Sequence, residues 1–354
     1  MKIAVRAIGA PSSGVKANSN TWSVVADYAG QAEKMGIDSM WTAEAWGTDA
    51  LTPIAYLAAH TEKINLGTGI VQIGSRTPAN LLMSSLTLQS MSQGRFILGI
   101  GTSGPQVIEG WHGVSFSNPI VRTREILEII KLGSRGEKLI YDGKSYTLPL
   151  REGEGKAIRT SLSPANIPIY LASLGPKNLE LTGELADGWI GGCFIPETAH
   201  VFMDRLKSGA DGAGRNIEDL EIMVPVSLEF TENVDEVGKQ HARGYGFTFG
   251  AMGSLENNFY KNAYARQGYG EAVDIVQKLW VEGRREEARD LVPVDLALKS
   301  NLIGTKDMIL DRLKLYEAAG VTTLKVEPQG STLSNKIESL ALLMELVASL
   351  DDTK

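Results

Sequence analysis

Cysteine and histidine are the residue types that this sequence has least of. Cys193 is the single cysteine among 354 residues, and there are four histidines. One cysteine cannot form an intramolecular disulfide or a cysteine-based metal cluster, and four scattered histidines assemble no metal constellation. The sequence also lacks the HExxH, GxSxG and Walker A motifs. These absences argue against a zinc protease, a hydrolase with a nucleophile elbow and a P-loop nucleotidase.

An excess of positive charge and a long apolar run are absent too. Lysine and arginine together number 35 against 42 aspartates and glutamates, which gives a net charge of −7. This argues against nucleic acid or an anionic membrane as the main partner. No apolar run approaches the roughly 18 residues of a membrane span, because Glu345 interrupts the best candidate, Leu340 to Leu350. Met1-Lys2 leads directly into a strand, which leaves no room for a signal peptide. We therefore expect a cytoplasmic protein.

The most informative stretch runs from Lys63 to Gly113, in the order strand, loop, helix, strand, loop. Its strands are Ile64–Val71 and Arg95–Ile100, and Thr77-Pro78 predicts the helix start between them. Strand–helix–strand units of this length demand parallel strands, whose carboxyl ends bind ligands in α/β folds. Four glycines lie in or directly after these strands, namely Gly67, Gly69, Gly99 and Gly101. They either admit a ligand or only allow tight packing of the barrel.

Eight predicted strands, each followed by a helix, span the chain. They are Ile3–Ile8, Ile37–Thr42, Ile64–Val71, Arg95–Ile100, Ile169–Ala172, Gly188–Gly192, Leu220–Phe230 and Val321–Val326. This count predicts an α/β protein with a (β/α)₈ TIM barrel. We expect residues 1–354 to form one domain with insertions at about 137–165 and 234–302. The second insertion follows strand seven, and its aromatic, glycine-rich piece is interpreted as a lid or binding element. A doubly wound sheet is the alternative, but no GxGxxG follows strand one.

Candidate site residues lie at the ends of these strands, where a barrel carries its site. Strands two to four offer Glu44, Trp46, Gln72, Arg76, Thr102, Ser103 and His112. Glu44 is a candidate proton donor or cofactor anchor, and the alternative is a solvated loop carboxylate. His112 is either a catalytic acid or a structural hydrogen-bonding residue. Arg76 either binds an anion or pairs with a nearby carboxylate.

The turn after strand five is a candidate phosphate site. Gly175 lets the backbone approach a ligand, and Pro176 starts a helix whose free N–H groups and dipole favour an anion. Gly191 and Gly192 occupy the end of strand six. Cys193 beside them is interpreted as a packing residue rather than a nucleophile, because no histidine or basic residue is adjacent in the sequence.

Five segments together resemble the bacterial-luciferase-like superfamily, in the branch of oxidoreductases that use the deazaflavin coenzyme F420. They are TAEAWGTDA, LGTGIVQIGSRTPA, RFILGIGTSGPQVIEGWHG, GPKNLELTGELADGW and the late IGT. The resemblance implies a barrel, usually dimeric, with a flavin-type ring at the carboxyl ends of the strands. It also implies a cis peptide bond at Gly69–Ile70 behind the ring. The cofactor phosphate would lie at Leu174, Gly175 and Pro176, and the ribityl chain near Gly191 and Gly192.

The sequence departs from several relatives at two positions. Where they carry an acid–histidine pair after strand two, this chain has Glu44-Ala45, and where they carry a glutamate after strand four, it has Ser103-Gly104-Pro105. These departures leave the proton donor unassigned. Our hypothesis is an F420-dependent oxidoreductase that moves a hydride between the deazaflavin and a small organic substrate. Glu44 and Trp46 would sit by the ring, and Phe259, Tyr260 and Tyr264 would cover the substrate. The alternatives are an FMN-dependent monooxygenase and a cofactor-binding protein without turnover.

Overall fold

The computed structural model describes residues 1–7, 21–252 and 258–351, and its strands form a closed barrel. In chain order the strands are β1 Lys2–Arg6, β2 Ser39–Thr42, β3 Asn65–Thr68, β4 Val71–Gln72, β5 Phe96–Gly101, β6 Tyr141–Asp142, β7 Thr147–Leu148, β8 Ile169–Ala172, β9 Gly188–Ile190, β10 Glu221–Phe230, β11 Leu302–Gly304 and β12 Thr323–Pro328. The parallel ring runs β12, β1, β2, β3, β5, β8, β9, β10, and β10 pairs with β12 to close it. The predicted (β/α)₈ TIM barrel is confirmed.

Helices follow the barrel strands, and α8 to α12 form a separate group after β10. They are α1 Thr21–Lys34, α2 Leu51–Ala58, α3 Pro78–Met91, α4 Pro105–Ile108, α5 Pro119–Ser134, α6 Pro176–Leu185, α7 His200–Gly212, α8 Val234–Ala251, α9 Phe259–Tyr264, α10 Gly270–Val281, α11 Arg285–Asp290, α12 Val294–Lys299, α13 Lys306–Ala318 and α14 Leu333–Asp351. Among the residues that the structure describes, no helix is long and apolar enough to cross a membrane.

Local capping explains where several helices begin. The Thr77 side chain accepts from the N–H of Asn80, and Pro78 takes the first helical position, as predicted. The start expected for α2 at Thr52-Pro53 is one residue late. Asp49 Oδ1 accepts from the N–H groups of Leu51 and Thr52 at 2.9 Å each, so α2 starts at Leu51.

The predicted third strand is interrupted rather than continuous. Gly69–Ile70 is a cis peptide bond between β3 and β4, so this prediction is confirmed. Across the break the Thr68 hydroxyl donates to the Gly99 carbonyl and accepts from the Gly99 N–H, both at 2.9 Å. A Cβ on Gly99 would lie 1.7 Å from the Thr68 carbonyl oxygen, so glycine is required by this close approach. We call residues 68–72 the bulge.

The long segment after β10 differs from its prediction in two respects. The glycine-rich piece predicted as a lid is helical over residues 244–251 and 259–264, and two of its glycines lie where α8 crosses other helices. A Cβ on Gly250 would lie 2.1 Å from the Trp280 ring, and one on Gly246 would lie 2.8 Å from Arg289. A further parallel strand, β11, pairs with the end of β10 and is absent from the prediction. The predicted end of strand one at Ile8 and residues 253–257 lie outside the described residues.

Apolar side chains form three buried clusters. The largest lies between the barrel and its helices and includes Val5, Leu98 and Leu324. A second cluster lies within the segment after β10 and includes Phe249, Tyr264 and Val276. The third fills the barrel lumen with Ala4, Trp41, Ile190 and Met223. Because successive side chains of a strand point to opposite faces, each barrel strand supplies both the lumen and the outer layer.

Candidate cofactor site at the barrel mouth

A cavity of about 680 Å³ opens at the carboxyl ends of the strands. One of its walls is the bulge after β3, and another is the turn that starts α6. Eight predicted site residues line it, namely Gly69, Ile70, Thr102, Ser103, Leu174, Gly175, Pro176 and Gly192. The structure thus brings together residues from the ends of four strands, as expected for a barrel site.

Five predicted site residues do not line this cavity. Trp46 is 56% exposed, and the Gly191 N–H donates to the Met223 carbonyl within the barrel ladder. Glu44 and His112 both bond to Gln72, the last residue of the bulge, and none of the three lines the cavity.

Glu44 is a buried carboxylate held by four donors. Arg76 reaches both of its oxygens, with Nη1–Oε1 at 2.6 Å and Nη2–Oε2 at 3.0 Å. The Gln72 N–H donates to Oε1 at 2.9 Å and the Ala50 N–H to Oε2 at 3.1 Å. Glu44 is 7% exposed and Arg76 19% exposed. These bonds join the end of β2, the bulge and the start of α2, and they resolve the two alternatives for Arg76 in favour of pairing.

Gln72, at the end of the bulge, forms a second network with His112. The buried Gln72 amide donates to the Ala45 carbonyl at 3.1 Å, and its Oε1 lies 2.9 Å from His112 Nε2. Since the amide nitrogen is used as a donor, Oε1 must accept, so the neutral His112 carries its proton on Nε2. This position suits a structural hydrogen-bonding histidine.

The start of α6 has the features of an anion site. Gly175 precedes the helix, and nothing lies within 4 Å of where its Cβ would be. The first residues of α6 line the cavity, including the exposed Lys177. Pro176 has no N–H, and the Asn178 N–H donates to the Gly175 carbonyl at 3.0 Å, so the Lys177 N–H is the donor of this turn that can face an anion. Arg266 donates to the Leu174 carbonyl at 2.6 Å, which adds a second cation beside the turn.

Asn178 is a polar cavity residue that the sequence analysis did not single out. Its Oδ1 is buried and has no hydrogen-bond partner among the described residues. An unsatisfied buried acceptor is costly, so this atom fits a ligand that brings a donor such as a hydroxyl. No motif signals it, because asparagine in the first turn of a helix is ordinary.

Aromatic residues from α9 cover one side of the cavity. Phe259 and Tyr260 line it, as predicted for a substrate cover. Tyr264 does not, because its ring packs edge-on against Tyr245 and Phe249 in the second cluster. Ile190 and Pro225 also line the cavity, and the alternation of β9 and β10 could have identified them as facing the lumen.

Cys193 has the environment of a packing residue. It packs against the second cluster, and its carbonyl accepts from the Gln267 amide at 2.6 Å. Burial raises the pKa of the Cys193 thiol to about 12, and the positive charge of Arg266 opposes this only in part. A thiol with so high a pKa is not a nucleophile at neutral pH.

The sequence matches a known protein family and a curated relative. A family model described as luciferase-like monooxygenase matches residues 1–323. A protein of Mycobacterium tuberculosis, provisionally named a coenzyme F420-dependent oxidoreductase, is 38% identical over 310 residues. That alignment covers 85% of this chain and 89% of the relative.

Two solved structures share the architecture. The coenzyme F420-dependent tetrahydromethanopterin reductase of Methanopyrus kandleri superposes with a TM-score of 0.77 at 20% identity, covering 97% of each chain. The oxygenating constituent of 3,6-diketocamphane monooxygenase of Pseudomonas putida, in complex with FMN, superposes with a TM-score of 0.70 at 19% identity. That alignment covers 99% of this chain and 98% of the other. At these identities the likeness concerns the fold alone.

Proposed function

The chain belongs to the luciferase-like monooxygenase family, and from this premise we propose that it is an F420-dependent oxidoreductase. It would move a hydride between the deazaflavin and a small organic substrate. The relative that is 38% identical over most of both chains supports F420 over FMN.

One observation carries the proposal. A single cavity joins the bulge at Gly69–Ile70 to the open start of α6 at Gly175. A phosphate-bearing ring cofactor needs a wall for the ring at one end and anion-binding N–H groups at the other. The unpaired Oδ1 of Asn178 supports the same class of ligand, because a ribityl chain supplies hydroxyl donors.

The protein's own residues would bind and orient the cofactor and shield the substrate from water. The bound deazaflavin would supply the hydride chemistry, and the chain would supply its position and electrostatics. Lys177, through its N–H at the start of α6 and its ammonium group, would hold the phosphate. Phe259 and Tyr260 would cover the substrate and exclude water.

We propose that Glu44 is an anchor rather than the proton donor. Its bidentate pairing with Arg76 uses both carboxylate oxygens and supports this role. His112 and Trp46 remain predicted catalytic residues. The bond from His112 Nε2 to Gln72 supports a structural role for His112. A cytoplasmic homodimer of single-domain subunits also remains part of the proposal, and light scattering would test the dimer.

Cofactor titration of a Gly175 variant tests the proposal. Purified protein would be titrated with F420 and, separately, with FMN, and binding followed by the change in cofactor fluorescence. Gly175→Glu places a negative charge where the phosphate would lie, so we expect F420 affinity to fall at least about 100-fold, since like-charge contacts cost several kcal/mol.

Gly175→Ala is the matched control, because its methyl group enters open space and brings no charge. It should lose little affinity. If Gly175→Glu binds F420 as the wild type does, the phosphate lies elsewhere. Tight binding of FMN with no binding of F420 would favour the monooxygenase alternative. Binding of F420 without any hydride exchange would favour a protein without turnover.

A further inference from the structure

The lumen under the cavity contains a cation that the proposed function has not used. Lys325 lies on β12 and pairs in register with Ala4 of β1 and with Pro225 of β10. Its strand neighbours Leu324 and Val326 are buried in the outer layer, so Lys325 faces the lumen. Its surroundings there are the apolar cluster around Trp41 and Met223.

The side chain of Lys325 reaches across the lumen to the bulge. Its Nζ lies 3.3 Å from the point that a Cβ on Gly69 would occupy. Gly69 and Pro225, on either side of the lysine, both line the cavity. The ammonium group therefore lies next to the cis peptide bond, beside two residues that line the cavity, although the half-buried Lys325 is not itself a lining residue.

No described residue pairs with this ammonium group. Among the hydrogen bonds and ion pairs of residues 1–7, 21–252 and 258–351, none involves Lys325 Nζ. The carboxylate whose charge raises its pKa is Glu327, which is exposed and lies 3.6 Å from Arg6 Nη1. Tyr170 also faces the lumen, and burial raises its pKa, so it stays neutral.

An unpaired cation at this position opposes folding. Burial, with a smaller contribution from the charge of Arg6 and against the opposing charge of Glu327, lowers the pKa of Lys325 to about 8. An apolar side chain of similar length would fill the same space without this penalty. A partner that arrives with a ligand would remove the penalty.

We propose that Lys325 is a cofactor-binding residue whose ammonium group donates a hydrogen bond to an electron-rich oxygen of the ring seated against Gly69–Ile70. This inference rests on the proposed function. The contact with Gly69 points to the ring rather than the substrate, because that residue belongs to the wall behind the ring. A positive charge at this edge stabilises negative charge on a reduced ring, and so raises the midpoint potential of the bound cofactor.

The test compares F420 affinity of Lys325→Met and Lys325→Arg with the wild type between pH 6 and 10. The protonated lysine binds, so wild-type affinity should fall as the pH rises above about 8. Lys325→Met should bind about 10- to 100-fold more weakly at pH 7, the usual effect of one charged hydrogen bond, and should lack the fall that the lysine causes. Lys325→Arg keeps its charge and should also lack that fall.

Two controls separate a direct contact of Lys325 with the cofactor from a general effect of charge or stability. Lys63→Met removes one exposed positive charge at the amino-terminal end of β3, opposite the cavity, and should leave affinity unchanged. The cofactor-free Lys325→Met protein should unfold at the same or a higher temperature than the wild type at pH 7, since a buried charge has gone. With cofactor bound, its midpoint potential should be lower than that of the wild type.

Equal affinity and equal pH profiles for Lys325→Met and wild type would overturn this inference while leaving the proposed function intact. A change confined to the KM for substrate would also overturn this inference and leave the proposed function intact, because the oxygen that accepts from Lys325 would then belong to the substrate. Unfolding of cofactor-free Lys325→Met at a lower temperature, with unchanged affinity, would show a structural role instead. If the wild type itself binds neither cofactor, the proposed function fails, and this inference fails with it.

Discussion

Replacing Glu44 by glutamine tests whether this carboxylate anchors the bulge or transfers a proton. The substitution keeps the shape of the side chain, but it removes the charge and replaces one acceptor oxygen by a donor. Four donors now converge on the carboxylate, two from Arg76 and one each from the N–H groups of Gln72 and Ala50. A glutamine has one oxygen for them, so at least one arm of the Arg76 pair must be lost.

The expected loss of stability in Glu44→Gln follows from the burial of the Glu44–Arg76 pair. With Glu44 7% and Arg76 19% exposed, the variant leaves a largely buried guanidinium without its counter-charge. Breaking a buried pair in this way costs about 3–5 kcal/mol. Because the pair also holds the bulge, we expect weaker F420 binding. A proton donor would behave differently, with turnover at saturating cofactor reduced by about 10²–10⁴-fold and stability retained.

Urea denaturation, F420 titration and turnover of the same preparation separate the two roles. Glu109→Gln is the matched control, because Glu109 is an exposed carboxylate near the same mouth that accepts from the Phe116 N–H. If Glu44 and Arg76 act as a unit, adding Arg76→Met to Glu44→Gln should cost less than the sum of the single variants. Unchanged stability, within about 0.5 kcal/mol, together with a hundredfold loss of turnover, would refute the anchor.

Two further predictions concern the bulge and the single cysteine. Gly99→Ala places a Cβ 1.7 Å from the Thr68 carbonyl oxygen, so it should lower the free energy of unfolding in urea by at least about 1–3 kcal/mol, the typical cost of overpacking. Gly30→Ala is its control, because a Cβ there meets nothing within 4 Å, and equal stability of both variants would mean that the bulge can move away. Cys193, with its pKa raised to about 12, should stay unlabelled by iodoacetamide at pH 8 in the native protein and react after denaturation; rapid native labelling would show that its thiol is neither buried nor protonated as described.

The sequence by itself determined the local elements and their order. Thr77-Pro78 starts α3, Thr305 caps α13 by accepting from Met308, and Gly175-Pro176 starts α6. Such signals act within a single turn, so the residues that carry them are adjacent in the chain. Eight repeats of strand and helix then leave a closed parallel barrel as the economical arrangement, and the carboxyl ends of its strands as the site.

Only the tertiary structure decided which strand-end residues face the ligand. Glu44 meets Arg76 through the bulge, which turns a candidate acid into a paired carboxylate. Lys325 meets Gly69 only because the closed ring places β12 across the lumen from β3. Gly246 and Gly250 are typical of a loop in the sequence, yet they lie in α8, where Arg289 and Trp280 occupy the space that their side chains would need. Contacts of this kind depend on ring closure and helix crossing, which join residues far apart in the chain, and no local propensity encodes them.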